Sequence, residues 1–347
     1  LKNISFVLLL LFLGACSQPE TTQTDETTKK SGEVNLYTHR HYEVDQQIFK
    51  RFEEETGIKV NVVKAGADEL MVRLENEGDK SPADLLVTVD AGRLVLAKQK
   101  GLLQPIQSDI LISRIPEYLR DDEGYWFAQT VRARFLVYSK DRVKPEELST
   151  YEALTDAKWK GRILSRSSSN IYNQSLLASI IAHQGEEGAT TWANGVVANF
   201  AREPKGNDRD QVIAIAAGQG DVAIVNSYYV GKMFESDDTS ERDAVSKTGV
   251  FFPNQNDRGA HINISGAGVT KYSPNRENAI LLLEYMASDE IQQIFAEANS
   301  EYPVNSEIAS AALLQSWGTF KPDTLPLRVL GELNAKAVEI FDRAGWK

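Results

Sequence analysis

Between Val34 and Lys100, short apolar runs with the two-residue period of a strand alternate with longer stretches of helical period. Val34–Tyr37 reads as a strand. Tyr42–Glu55 places Ile48, Phe49 and Phe52 on one helical face, and Gly57 ends it. Ile58–Val63 alternates as a strand, and Asp68–Glu77 carries Leu70, Val72 and Leu74 at helical positions. Asp84–Val89 is nearly continuously apolar, as expected of a strand covered on both faces of a parallel sheet. Ala91–Lys100 is helical again. This βαβαβα order predicts an open α/β sheet with helices on both faces. A second α/β region follows. Its strands are Val131–Tyr138, Arg162–Ser165, Asp221–Asn226, Gly249–Pro253 and Ile262–Val269. Helices are expected over Gln174–His183, Gly188–Phe200, Asp210–Ala217, Arg276–Ala287 and Glu290–Ala298. No internal repeat is visible. Val131–Tyr138 and Ile262–Val269 are the strands expected to cross between two lobes. Two crossings imply a hinge, and a hinge implies a cleft.

The start of the chain reads as an export signal over residues 1–15. Lys2 supplies a positive charge, Val7–Leu13 is apolar, and Leu13-Gly14-Ala15-Cys16 brings small residues up to the single cysteine of the chain. That run is too short to span a bilayer well. The tetrapeptide resembles a bacterial lipobox, which implies that Cys16 is the lipidated first residue of the mature protein. Residues 16–32 are polar and of low complexity, so they cannot bury enough apolar surface to fold. As a random coil such a tether reaches about 20 Å. With 42% hydrophobic and 25% charged residues the remainder is ordinary globular material, long enough for two domains. A net charge of −11 argues against nucleic acid as a partner, because phosphate binding needs a basic surface. It is compatible with a cationic ligand.

Several aromatic residues stand where strands end: His41-Tyr42, Tyr172 and the pair Tyr228-Tyr229. In open α/β sheets ligands bind beyond the carboxyl ends of strands, which groups these residues. Phenolate oxygen is a hard anionic donor suited to hard trivalent cations. A tyrosine is neutral at pH 7, but a bound cation can strip its proton. Arg132 and Arg134, on the first crossing strand, are candidates to balance the resulting negative charge. Taken alone, each feature has a plainer explanation. Paired tyrosines also pack in cores or stack on sugars, a lone histidine is commonly a surface group, and Tyr172 can donate to any polar ligand. A small organic or anionic solute therefore remains an alternative cargo. Enzymatic signatures are absent from the sequence. There is no nucleophile motif with its histidine partner, no HExxH, no phosphate loop and no cysteine pair. His183 and His261 have no evident catalytic partner.

The stretches Val34-Asn35-Leu36-Tyr37-Thr38-His39-Arg40-His41-Tyr42, Lys80-Ser81-Pro82-Ala83-Asp84, Asn226-Ser227-Tyr228-Tyr229 and Glu301-Tyr302-Pro303-Val304-Asn305 together resemble the bacterial periplasmic ferric-iron-binding proteins. The similarity runs from about Val34 to the C-terminus. It implies the type II periplasmic-binding-protein fold, with two α/β lobes joined by a two-strand hinge. It also implies a monomer that carries Fe3+ to the permease and ATPase subunits of an ABC importer. With Cys16 lipidated, the protein would sit in the periplasm or at the cell surface, anchored to a membrane. The two crossing strands divide the chain into an N-lobe of 33–130 plus 259–305 and a C-lobe of 131–258 plus 306–347, the assignment of 306–347 being what the resemblance implies. Tyr228 and Tyr229 match the family's ligand pair, and His41-Tyr42 its N-terminal ligand position. One branch of the family supplies a glutamate where Val89 stands here. The chain instead resembles the tyrosine-rich branch, which implies Tyr42, Tyr172, Tyr228 and Tyr229 as metal ligands. His41 is then a fifth ligand or the site's edge, and Arg132 a charge-balancing neighbour.

Overall fold

The structure is a computed structural model that describes residues 32–347. The export segment, Cys16 and the tether up to residue 31 lie outside the described residues. The first half runs β1 (Gly32–Thr38), α1 (Glu43–Thr56), β2 (Ile58–Lys64), α2 (Ala67–Glu77), β3 (Leu85–Thr88), α3 (Ala91–Gln99), α4 (Asp109–Arg114) and the long β4 (Phe127–Ser139). The second half runs β5 (Ile163–Leu164), α5 (Ile171–Ala198), α6 (Asp208–Ala216), β6 (Val222–Asn226), α7 (Ser227–Phe234), α8 (Thr239–Ser246), β7 (Thr248–Phe251) and β8 (Ile262–Val269). Five helices complete it: α9 (Arg276–Met286), α10 (Asp289–Asn299), α11 (Ala312–Ser316), α12 (Arg328–Glu332) and α13 (Asn334–Ala344). Gly32, expected to close the tether, opens β1 instead.

The strand order is β2-β1-β3-β8-β4-β6-β5, with β7 also on β4. β1 is parallel to β2 and β3, as the alternating pattern requires. β3 is antiparallel to β8, so the sheet is mixed rather than all parallel. The antiparallel pairs arise because the chain returns from its second half and inserts β8 beside β3. β4 serves two sheets in succession. Phe127–Ala133 pairs with β8, and Arg134–Tyr138 then pairs with β6. β4 starts four residues before the expected Val131. The register skips between Ala128 and Thr130, and this bulge breaks the alternation on which the sequence boundary rests. A third crossing lies beside it, where Val131 and Tyr302 exchange backbone hydrogen bonds of 2.8 and 2.7 Å.

Apolar faces meet where the pattern places them. Ile48 and Phe52 of α1 are buried in one core with Val34, Leu36, Leu282 and Met286. Phe135, Val212, Ala223 and Met233 form a second core around β4 and β6. Each of the larger side chains contributes about 1.5–3 kcal/mol on burial. α5 comprises the two helices that the sequence separates, divided by a kink at Gly185, where φ is 73° and ψ 175°. α13 packs on α5, and Trp346 beyond it stacks edge-on against Phe200 with centroids 4.8 Å apart. The Trp346 indole N–H donates to Arg166 O at 3.0 Å, which pins the loop leading into α5. Among the described residues, no helix is long and apolar enough to cross a membrane.

Candidate metal centre

Each tyrosine of interest occupies the start of a helix. Tyr42 is the N-cap of α1, and its N–H donates to Asp45 Oδ2 at 3.2 Å. Tyr172 is the second residue of α5, and its N–H donates to Asn170 Oδ1 at 3.1 Å. Tyr228 and Tyr229 lie in the first turn of α7, which begins where β6 ends. The sequence pattern shows that strand end but not α7 itself. A helix N-terminus carries about half a positive charge and favours an anion beside it. The three helices therefore present phenols where phenolate is best tolerated.

The fold brings these residues together. Tyr42, Tyr172, Tyr228, Tyr229 and His41 line one cavity of about 500 Å3, together with His39 and Val89. Tyr172 Oη and Tyr228 Oη are 3.3 Å apart. The Tyr42 and Tyr228 rings meet edge to face with centroids at 6.0 Å, and the Tyr228 and Tyr229 rings lie 4.2 Å apart. Tyr42 follows β1 in the first sheet, whereas the other three follow β5 and β6 in the second. His41 is exposed at the rim, with its ring 5.2 Å from that of Tyr42. Val89 lines the cleft and offers no donor atom.

Burial sets the charge state of these phenols. It holds Tyr42 well above the ordinary tyrosine range, helped by the nearby Glu301 carboxylate. Tyr228 is likewise pushed well up by burial and by its three tyrosine neighbours. Tyr172 is raised to about 12 by burial, against the opposing pull of Arg132. Unaided by a cation, these groups stay neutral at pH 7.

Positive charge is stacked behind them. The Arg132 guanidinium lies 5.2 Å from the Tyr172 ring centroid, with Arg166 at 5.6 Å and Arg134 at 6.0 Å. Arg132 is 1% exposed and donates to Val89 O; among the described residues its Nε has no hydrogen-bond partner, as is also true of Arg134 Nε. Arg134 is engaged elsewhere, bonding Asn226 at 3.0 Å and Asn173 at 2.5 Å and facing Asp208 at 3.7 Å. Of the two crossing-strand arginines, Arg132 thus has more of its charge available to Tyr172. Lys232 Nζ stands 3.8 Å from the Tyr42 ring centroid, and burial lowers its pKa to about 8.

His39, Arg166, Arg209 and Lys232 also line the cleft, and the sequence motifs do not single them out. For Lys232 a signal existed: it falls one helical turn after Tyr228, on the same face. Among the described residues no group of three His, Cys, Asp or Glu is placed to hold a metal. The donors lining the cleft are four phenols, with the imidazoles of His39 and His41 and the carboxylate of Glu43. That set suits a hard, highly charged cation and disfavours soft, thiolate-seeking ions.

Two sheets sharing crossing strands, with ligand-ready side chains at strand ends in the cleft, define a two-lobed solute-binding protein of the type II periplasmic-binding fold. The chain belongs to the bacterial extracellular solute-binding protein family, whose model matches residues 80–321. It is 48% identical over 335 residues to iron uptake protein A1 of Synechocystis sp., covering 96% of this chain and 93% of that protein. A solved Trichodesmium structure, IdiA or FutA in complex with iron and citrate, is 50% identical with a TM-score of 0.89. The match covers 91% of this chain and 100% of that one. The ferric binding protein of Campylobacter jejuni is 42% identical with a TM-score of 0.86, covering 90% and 100% respectively.

Proposed function

We propose that this protein captures ferric iron in its interlobe cleft as cargo and delivers it to an ABC importer, without catalysing a reaction. The observation that carries this reading is the convergence of four phenols from both sheets on one cavity. Relatives named for iron uptake or ferric iron binding support it. Tyr42, Tyr172, Tyr228 and Tyr229 are the ligands, and His41 is either a fifth ligand or the site's edge. A trivalent cation with four phenolates carries one net negative charge, which Arg132 offsets from behind Tyr172. The lobes are 33–130 plus 259–305 and 131–258 plus 306–347, and they close about β4 and β8. Purified protein loaded with iron should be coloured by tyrosinate-to-Fe3+ charge transfer and hold one iron per chain. A colourless protein that takes up no iron overturns the proposal.

The remaining part of the proposal concerns the anchor. Cys16 carries the lipids that hold the protein at a membrane in the periplasm or at the cell surface, and the protein works as a monomer. One acyl chain binds weakly, so stable attachment needs the several chains of a bacterial lipoprotein. Cys16→Ser should release the protein into the soluble exported fraction or leave it unprocessed. Unchanged membrane association of a correctly processed variant overturns this part alone.

A further inference from the structure

Arg40 lies between the first-lobe tyrosine and the strands about which the lobes turn. Its side chain is 3% exposed. Its guanidinium carbon sits 4.6 Å from the Tyr42 ring centroid. Nε donates to Asp45 Oδ1 at 2.8 Å, and the other oxygen of Asp45 holds the Tyr42 N–H. Nη1 lies 2.8 Å from Ser265 Oγ on β8, 3.2 Å from Thr130 Oγ1 on β4, and 2.8 Å from Glu301 Oε2. Glu301 precedes Tyr302, the residue that pairs with Val131 at the third crossing. Thr130 is the first paired residue after the β4 bulge. One planar cation thus touches the Tyr42 ring, the cap of its helix and all three crossing segments.

We propose that Arg40 is a positioning residue that couples Tyr42 to the hinge, so that iron held by Tyr42 fixes the two crossing strands in the closed arrangement. This rests on the iron-binding role given above. Tyr42 is the only one of the four phenols contributed by the first sheet, so the hold of the closed cleft on iron depends on where its ring stands. Guanidinium stays charged and presents its donors in a rigid fork. Buried, it cannot lose an acceptor without leaving a charged donor unsatisfied, and that penalty exceeds the cost of losing a neutral hydrogen bond. Rotation of β4 and β8 therefore drags Arg40, and Arg40 drags the ring and helix cap against which it is packed. The buried Arg40 Nη2, which has no partner among the described residues, leaves its two N–H donors for a rearranged state.

The principal variant keeps Arg40, Asp45, Glu301 and every proposed ligand, and removes the two strand hydroxyls. Thr130→Val with Ser265→Ala should still bind one iron with the tyrosinate band in place. Iron should leave to a strong chelator about tenfold faster than from the wild type, as expected for lost bonds to a charged group. The iron-dependent decrease in radius of gyration should shrink in parallel. Thr130→Ser alone, which keeps its hydroxyl, should retain the wild-type rate. Arg40→Lys, which keeps the charge but loses the fork, should also release iron faster than wild type. A double variant with wild-type release rate and wild-type compaction overturns the coupling while leaving the iron site standing. A wild-type protein with no tyrosinate band overturns both.

Discussion

Replacing Tyr228 by Phe should cost iron affinity more than about a hundredfold, because even groups one step removed from a metal are worth about 10- to 100-fold. Tyr228 is 2% exposed, and its Oη lies 3.3 Å from that of Tyr172. Phe keeps the ring that packs against Tyr42 and Tyr229 and deletes only the donor atom. The iron-free fold should therefore change by no more than about 0.5–1.5 kcal/mol, the net worth of one hydrogen bond. Stability and affinity separate in this variant, which identifies the oxygen as a ligand rather than a packing group. Tyr229→Phe should behave in the same way, with the visible band weakened and shifted. His41→Ala should do less harm, since His41 stands exposed at the rim. If both Tyr→Phe variants keep the full band and one iron per chain, the tyrosines are structural and the site assignment is wrong. Titration with ferric citrate against a competing chelator reads all three.

Why were the phenols legible in the sequence and their supporting cations less so? Tyr42, Tyr172 and the Tyr228-Tyr229 pair fall at places that backbone pattern marks, just past apolar runs. The α/β topology sends those places to one end of the sheets. Arg132 could be nominated because it lies on a strand long enough to cross. Its separation from Arg134 could not, since it depends on Asp208, Asn226 and Asn173, which come from distant segments. Arg166 and Arg209 reach the cleft only through tertiary packing, and no local period announces them. The bulge at β4 hid the true start of that strand for the same reason. Bulges are set by the partner strand, and one-dimensional alternation does not record it. Arg40 stood in full view beside His41-Tyr42. Its role depends on Thr130, Ser265 and Glu301, which lie 90, 225 and 261 residues away along the chain.

Acid should expel iron steeply, and the sign follows from the phenols. In the absence of a cation, burial holds Tyr42 and Tyr228 well above the ordinary range and Tyr172 at about 12. All three are protonated throughout the range from pH 5 to 9, so each must release a proton when it ligates. Every displaced proton makes the affinity for free Fe3+ fall about tenfold per unit decrease in pH, so these three alone give about a thousandfold per unit. Lys232 acts in the opposite sense. Its pKa is lowered to about 8, chiefly by burial, so below that pH it gains a charge beside the Tyr42 ring that favours phenolate. One such charge on one ligand offsets only part of a dependence carried by three protons. The iron-free protein responds differently. Its raised phenols leave stability intact below pH 10, and that stability drains away as pH climbs through the folded values, because the unfolded chain ionises first. Iron-loaded protein should therefore gain thermal stability over iron-free protein as pH rises from 5 to 9, and the gap should collapse below pH 5 as the band fades. Proton release measured on loading, at three or more per iron near pH 7, is the direct check. A release of one proton or fewer would mean that the phenols do not hold the metal.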